Sequence, residues 1–185
     1  MSKRIFDLFF ASLGLLISGG IIIILYFFAT IDTKQNGLFL QKRVGQFGKL
    51  FTIYKLRTYG ISAAQPVSKF GKFLRHSKLD ELPQLWNIFL GSMTFVGPRP
   101  DVAGYYDLLE GEDRLVLKLK PGLTSLASIK YANEDELLLN QVDALFYNDT
   151  VIFPDKVKMN LEYYYSHSLF GDINIIWKTI FRNRT

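Results

Sequence analysis

Two adjacent carboxylates, Asp80 and Glu81, sit in the run Arg75-His76-Ser77-Lys78-Leu79-Asp80-Glu81-Leu82-Pro83-Gln84, among basic and apolar residues. That setting suits an acidic nucleophile working on phosphate. An ionised aspartate can attack phosphorus and form an acyl phosphate, which divides one transfer into two steps. Because nucleophile and phosphate are both anions, Mg²⁺ or an arginine must bring them together. Arg75 is close in sequence, and Val96-Gly97-Pro98-Arg99-Pro100 carries Arg99 on a turn stiffened by Pro98 and Pro100. An aspartate N-cap at Asp80, with Pro83 in the first turn, would start a helix there. Free backbone N–H groups and the helix dipole at such a start favour an ionised carboxylate and a phosphate alike. Neighbouring side chains on a helix do not face one another, so Glu81 reads as a base, a ligand or a support for the loop, not as a sharer of Asp80's proton. Each piece alone is ordinary: an acidic helix cap, a rigid turn. Their combination with a membrane-seeking segment is what points to chemistry.

The elements that must position these groups can be read from pattern. Leu38-Phe39-Leu40-Gln41 and Leu50 to Arg57 are β-like runs joined by Gly45-Gln46-Phe47-Gly48-Lys49, which predicts a hairpin. Its cations, Lys42, Arg43, Lys49, Lys55 and Arg57, suit a solvated face; Lys55 and Arg57 share one strand face and are the candidates for anion contact. Residues 68–79 predict a basic amphipathic helix with Phe70, Phe73 and Leu74 on one side. From Asp80 a second helix is expected, with Leu82, Leu85, Trp86, Phe89 and Leu90 as its apolar stripe and Gly91 as its stop. Further helices are expected over 101–119, 133–139, 155–167 and the final stretch, where Ile173, Ile176, Trp177, Ile180 and Phe181 recur at helical spacing before Arg182 and Arg184. A short strand or irregular segment covers Leu123 to Tyr131. The expected fold class is therefore α+β, mainly helical with a small β-hairpin.

From Leu8 to Ile31, 24 residues, Tyr26 is the one ionisable side chain. As a straight helix this run is roughly 36 Å long, enough to cross a bilayer. It is longer than a signal-peptide core and no small-residue cleavage site follows it. Lys3 and Arg4 precede it and Lys34, Lys42 and Arg43 follow, so the positive-inside rule places both ends in the cytoplasm. Ser18-Gly19-Gly20 near its middle weakens helix propagation, and the serine hydroxyl can satisfy a freed carbonyl. On these grounds a re-entrant hairpin and a spanning helix both remain open.

The 185 residues fit one compact catalytic domain packed with this anchor, divided at 1–34 and 35–185. The chain has no cysteine and 2 histidines, which removes thiolate chemistry and multi-histidine metal sites. Residues 1–80 hold 12 Lys/Arg against 3 Asp/Glu (+9), and residues 81–185 hold 10 against 14 (−4). A basic half beside a long apolar run reads as attraction to anionic phospholipid or a phosphorylated substrate, not to nucleic acid.

Taken in order, these residues resemble the bacterial sugar transferases, the small monotopic phosphoglycosyl transferases. The resemblance is nearly full length: the basic N-terminus and membrane hairpin, Tyr54-Lys55-Leu56-Arg57-Thr58, Arg75 with Leu79 to Leu85, Gly91 to Pro100, Lys120-Pro121-Gly122-Leu123-Thr124, and Asp172 to Ile180. It implies transfer of a sugar 1-phosphate from a UDP-sugar to a polyprenol phosphate such as undecaprenyl phosphate, with release of UMP. Asp80 takes the nucleophile's place and forms a phosphosugar-enzyme intermediate, with Mg²⁺ at Asp80. Glu81 takes the partner role, Arg75 phosphate binding, and Arg99 in its Pro98–Pro100 turn the substrate side. The resemblance also implies a re-entrant anchor broken at Ser18, Gly19 and Gly20, interfacial amphipathic helices, and residence on the cytoplasmic face of a bacterial inner membrane, with downstream glycosyltransferases as further partners. The sequence departs from the family pattern at Ser18-Gly19-Gly20, where a serine-proline pair is common, and at Tyr59, where methionine is usual. Ser92, Ser125 and Ser128 stand where aspartate, glycine and glutamine are common. The multi-span N-terminal domain of larger family members has no counterpart here, which reads as the minimal catalytic form. The competing expectations are a non-catalytic scaffold that binds anionic lipid, and a spanning helix carrying a soluble phosphate-processing domain.

Overall fold

The computed structural model describes residues 2–60 and 67–181, so Arg182 and Arg184 lie outside it. The chain packs as two compact units, Met1–Arg43 with Leu50–Met93, and Val44–Lys49 with Thr94–Thr185.

In the first unit, α1 (Ser2–Thr33) is 32 residues long, about 48 Å at the helical rise, and is long and apolar enough to cross a bilayer. The hydrogen-bonded helix runs unbroken through Ser18-Gly19-Gly20, and the Ser18 hydroxyl donates back to the Gly14 carbonyl at 2.6 Å. Ala11, Ala29 and Thr33 are buried against the rest of the unit, whereas Leu16, Ile17, Ile24 and Ile31 are exposed. Near its start, the Arg4 guanidinium donates to the carbonyls of Ile88 (2.7 Å) and Phe89 (2.8 Å) at the end of α3 (Gln84–Leu90). The Ile88 carbonyl also accepts the Gly91 N–H at 3.0 Å, and a cation at this helix end meets the negative end of the helix dipole. Near the other end of α1, Asp32 accepts from the Ser68 hydroxyl at 2.6 Å, and Phe28 meets Phe70 with ring centroids 6.1 Å apart. Ser68 caps α2 (Lys69–Ser77), accepting from the Gly71 N–H.

The expected hairpin forms as β1 (Leu38–Val44) and β2 (Leu50–Leu56). Asn87 ties α3 to β2: its carboxamide donates to the Thr52 carbonyl at 2.7 Å and accepts the Tyr54 N–H at 3.0 Å. That bond pattern orients α3 differently from the stripe expected of it. Gln84, Leu85, Asn87 and Ile88 are buried, while Trp86 and Leu90 are exposed.

The second unit is built on β3 (Thr94–Val96) and β4 (Gly122–Thr124), a parallel pair with Thr94 opposite Gly122 and Val96 opposite Thr124. Just beyond β3 the backbones approach so closely that a Cβ on Gly97 would strike the Lys120 carbonyl, and one on Gly122 would strike the backbone of Gly97. Helices α4 (Leu126–Lys130), α5 (Glu134–Leu139), α6 (Ala144–Tyr147), α7 (Phe153–Ser166) and α8 (Leu169–Ile180) follow. Val44, Tyr106, Val116, Leu117 and Val157 form one core cluster, and Val96, Tyr163 and Ile175 another. The buried Tyr163 hydroxyl donates to the Asp172 carboxylate of α8 and lies 3.2 Å from the Val96 carbonyl oxygen, fastening two helices to the strand that leads into the Pro98–Pro100 turn.

The helix expected over 101–119 does not form. Gly104 and Gly111 take φ of 107° and 55°, and the Asp107 carboxylate accepts the N–H groups of Gly104 (2.7 Å) and Tyr105 (3.0 Å). The segment folds instead as two 3₁₀ turns, Tyr106–Leu108 and Asp113–Lys118.

Candidate active site

After α2, Lys78 adopts left-handed backbone angles, φ 59° and ψ 15°, and turns the chain into a 3₁₀ turn, Leu79–Glu81. Leu82 and Pro83 continue with right-handed helical angles directly into α3. Asp80 therefore lies inside a helical turn and caps nothing, which corrects the expected N-cap: the reversal at Lys78 comes two residues earlier and takes the cap position from it. Its carboxyl is buried, and Oδ1 has no hydrogen-bond partner among the described residues. Burial pushes the Asp80 pKa up from 3.8, and the neighbouring Glu81 charge pushes it the same way. Lys55, Lys78 and Arg75 act in the opposite direction, so the carboxylate is enclosed by cations that do not fully offset its burial.

Glu81 is held from across the hairpin. Lys55 Nζ lies 3.0 Å from Glu81 Oε1, with the two side chains 19% and 11% exposed. The sequence separates these residues by 26 positions, and only the docking of the 79–90 stretch on β2 brings them together. Arg75 is fixed on two sides: its Nε donates to the buried Thr58 hydroxyl at 3.0 Å, and its guanidinium carbon lies 4.0 Å from the centre of the Tyr59 ring. Those contacts leave its terminal Nη groups without hydrogen bonds among the described residues, a planar fork suited to phosphate oxygens.

Asp80, Glu81, Lys55 and Arg75 thus gather in the first unit. Arg57 is directed elsewhere in the hairpin, donating to the Asn36 carbonyl at 2.7 Å and lying 5.4 Å from the centre of the Phe39 ring. Pro98, Arg99 and Pro100 belong to the second unit. There the Gly122 N–H donates to the Pro98 carbonyl at 2.8 Å, and the three residues line a small pocket with Val44, Tyr106 and Pro121. Ser18, Gly19 and Gly20 are in α1. Gln84 is the residue that sequence reasoning passed over. It is 2% exposed, its Nε2 has no partner among the described residues, and its spacing of four from Asp80 on a helical stretch was the available signal.

The arrangement offers an enclosed carboxylate oxygen, an open guanidinium fork and a second carboxylate braced by a lysine. Among the described residues no three His, Cys, Asp or Glu side chains cluster as a metal cage. The model of the family described as bacterial sugar transferase matches residues 1–184. The chain is 31% identical to galactosyl transferase CpsE of Streptococcus agalactiae serotype III (strain NEM316), over 97% of this chain and 41% of that protein. It is 30% identical to a UDP-glucose:undecaprenyl-phosphate glucose-1-phosphate transferase of Klebsiella pneumoniae, over 97% of this chain and 39% of that one. Exopolysaccharide production protein ExoY of Rhizobium meliloti (strain 1021) is 28% identical, over 97% of this chain and 84% of its own length. The chain thus spans about two fifths of the first two relatives.

Proposed function

Because the chain belongs to the bacterial sugar transferase family, we propose that it transfers a sugar 1-phosphate from a UDP-sugar to a polyprenol phosphate. In the first step an Asp80 oxygen attacks the phosphorus that carries the sugar. A bond from the Asp80 oxygen to phosphorus forms, giving an acyl phosphate, the bond from that phosphorus to UMP breaks, and UMP leaves with the bridging oxygen. In the second step an oxygen of the polyprenol phosphate attacks the same phosphorus, the acyl phosphate breaks, and Asp80 returns as a carboxylate. The observation that carries this reading is the buried Asp80 Oδ1 without a partner among the described residues, on a carboxyl whose burial raises its pKa while Lys55, Lys78 and Arg75 act in the opposite direction.

Arg75 binds the anionic oxygens through its free fork, and Lys55 keeps Glu81 turned toward the hairpin so that its charge opposes an incoming phosphate less. Mg²⁺ fits the donor set. The Asp80 carboxylate, with no all-protein cage among the described residues, suits an ion shared with substrate phosphates and water. When bound, it would neutralise diphosphate charge as UMP departs.

The anchor reading is one-sided insertion at a bacterial cytoplasmic membrane. Both ends of α1 are fastened to the same unit, Arg4 to α3 and Asp32 to the cap of α2, so a helix crossing the hydrocarbon would draw those elements in with it. A back-bonded Ser18 followed by two glycines is where a continuous helix bends, which supports re-entry by bending without loss of helical hydrogen bonds. Exposed Ile173, Trp177 and Ile180 on α8, with Phe181 just after it, suit an interfacial position, since they are not consumed by the core.

The test is UMP release by purified protein in lipid nanodiscs, with Mg²⁺, polyprenol phosphate and a panel of UDP-sugars. Wild type is expected to release UMP with at least one sugar and Asp80→Asn with none. Full turnover by Asp80→Asn, or none by wild type with any sugar, sinks the reading.

A further inference from the structure

Among the described residues two side-chain polar atoms are buried without a hydrogen-bond partner, Asp80 Oδ1 and Gln84 Nε2. They lie four residues apart in a stretch of right-handed helical backbone from Leu79 to Leu90, which places them on one face. Asn87, three residues further along the same face, shows what a buried carboxamide does when it serves the fold. It donates to Thr52 and Ser92 and accepts from Tyr54. Gln84 is as deeply buried, at 2% exposure against 1% for Asn87, and bonds to none of the described residues.

An unpaired buried amide donor destabilises a fold, and an apolar side chain of the same length would serve α3 better. Gln84 and Asp80 also leave each other unbonded, although one is a donor and the other an acceptor. A substrate that engages both presents a hydrogen-bond acceptor to Gln84 and, to Asp80 as nucleophile, an electron-poor centre. A phosphoryl group has both in one place: anionic oxygens around an electrophilic phosphorus.

We propose that Gln84 is a catalytic residue of the transfer, donating a hydrogen bond from its carboxamide to a non-bridging oxygen of the phosphoryl group that Asp80 attacks. The inference rests on Asp80 being the nucleophile. Gln84 transfers no proton. It holds the oxygen as the bond from Asp80 forms and the bond to UMP breaks, and again in the acyl phosphate, so its donor acts where charge is redistributed in both steps.

The experiment compares wild type, Gln84→Met and Gln84→Glu in nanodiscs. Methionine keeps length and volume but donates nothing; glutamate keeps shape and opposes the phosphate with like charge. Rapid-quench UMP release without polyprenol phosphate reads the first step, and thermal unfolding of the unliganded protein reads the fold. Removing one such donor is expected to slow Gln84→Met about a hundredfold, with kcat falling more than KM rises, and to slow Gln84→Glu further. The melting temperature of Gln84→Met is expected to equal or exceed that of wild type. A wild-type rate in Gln84→Met overturns the proposal, and so does a Gln84→Met that melts well below wild type, since the carboxamide would then serve folding. Asp80→Asn run alongside separates the two claims: if it is inactive while Gln84→Met is fast, only the role of Gln84 falls. If Asp80→Asn turns over normally, the nucleophile assignment falls and Gln84 with it.

Discussion

Replacing Lys55 with methionine removes an ammonium that lies 3.0 Å from Glu81 and helps to hold down the Asp80 pKa. The thioether fills nearly the same length, so the change is one of charge more than of packing. With side chains 19% and 11% exposed, the pair is largely withdrawn from water. Breaking such a pair from one side costs about 3 kcal/mol, the low end of the range for buried pairs, because some solvent still reaches both groups. The loss should depend on pH. Asp80 is protonated in both folded and unfolded chains below its ordinary 3.8, so its burial then carries no charge penalty. As pH rises through its elevated folded value, the ionised carboxyl penalises the folded state, and without Lys55 that penalty grows. Lys55→Met should therefore lose more stability at pH 7.5 than at pH 4.5. Adding Glu81→Gln should recover part of it, with a coupling of about 1–3 kcal/mol. Urea unfolding of the four proteins in one detergent, at both pH values, measures this. A cost below about 0.5 kcal/mol, the level of an exposed pair, or strict additivity in the double mutant, would contradict the reasoning.

Other outcomes follow from the same geometry. Arg4→Met removes two charged hydrogen bonds to the end of α3 and should lower stability by about 2 kcal/mol, with faster proteolysis at the α3 end. Tyr59→Phe keeps the ring beneath Arg75 and should preserve KM for the UDP-sugar, whereas Tyr59→Leu should raise KM several-fold with an unchanged melting temperature. Asp80→Asn, which removes a buried charge whose pKa is raised, should melt above wild type at pH 7.5 and match it near pH 3.5.

What the sequence disclosed was mostly local. Alternating apolar residues and two glycines in the connection were enough for the β1–β2 hairpin, and helical spacing found α2, α7 and α8. The 101–119 segment misled because its apolar spacing is helical, while Gly104, Gly111 and the Asp107 carboxylate draw the backbone into turns. The β3–β4 pair was invisible to periodicity. Each strand is three residues long, and their pairing across the intervening chain shows only in the need for glycine at both Gly97 and Gly122. At the site, Asp80 and Arg75 could be named from one short run. The Lys55–Glu81 pair needed the fold to join residues 26 apart. Gln84 was overlooked because the apolar stripe was placed on the face of α3 that carries the exposed Trp86 and Leu90, which made the buried polar face look like solvent.

Trapping the phosphosugar on Asp80 tests whether that residue carries it between the two substrates. Wild-type protein mixed with its UDP-sugar and Mg²⁺ but no polyprenol phosphate, quenched in acid and digested, should yield the Asp80 peptide heavier by one sugar phosphate. The adduct should vanish on adding polyprenol phosphate and never form in Asp80→Asn. UMP release in this half-reaction with no adduct on Asp80, or with the adduct on another residue, would contradict the account.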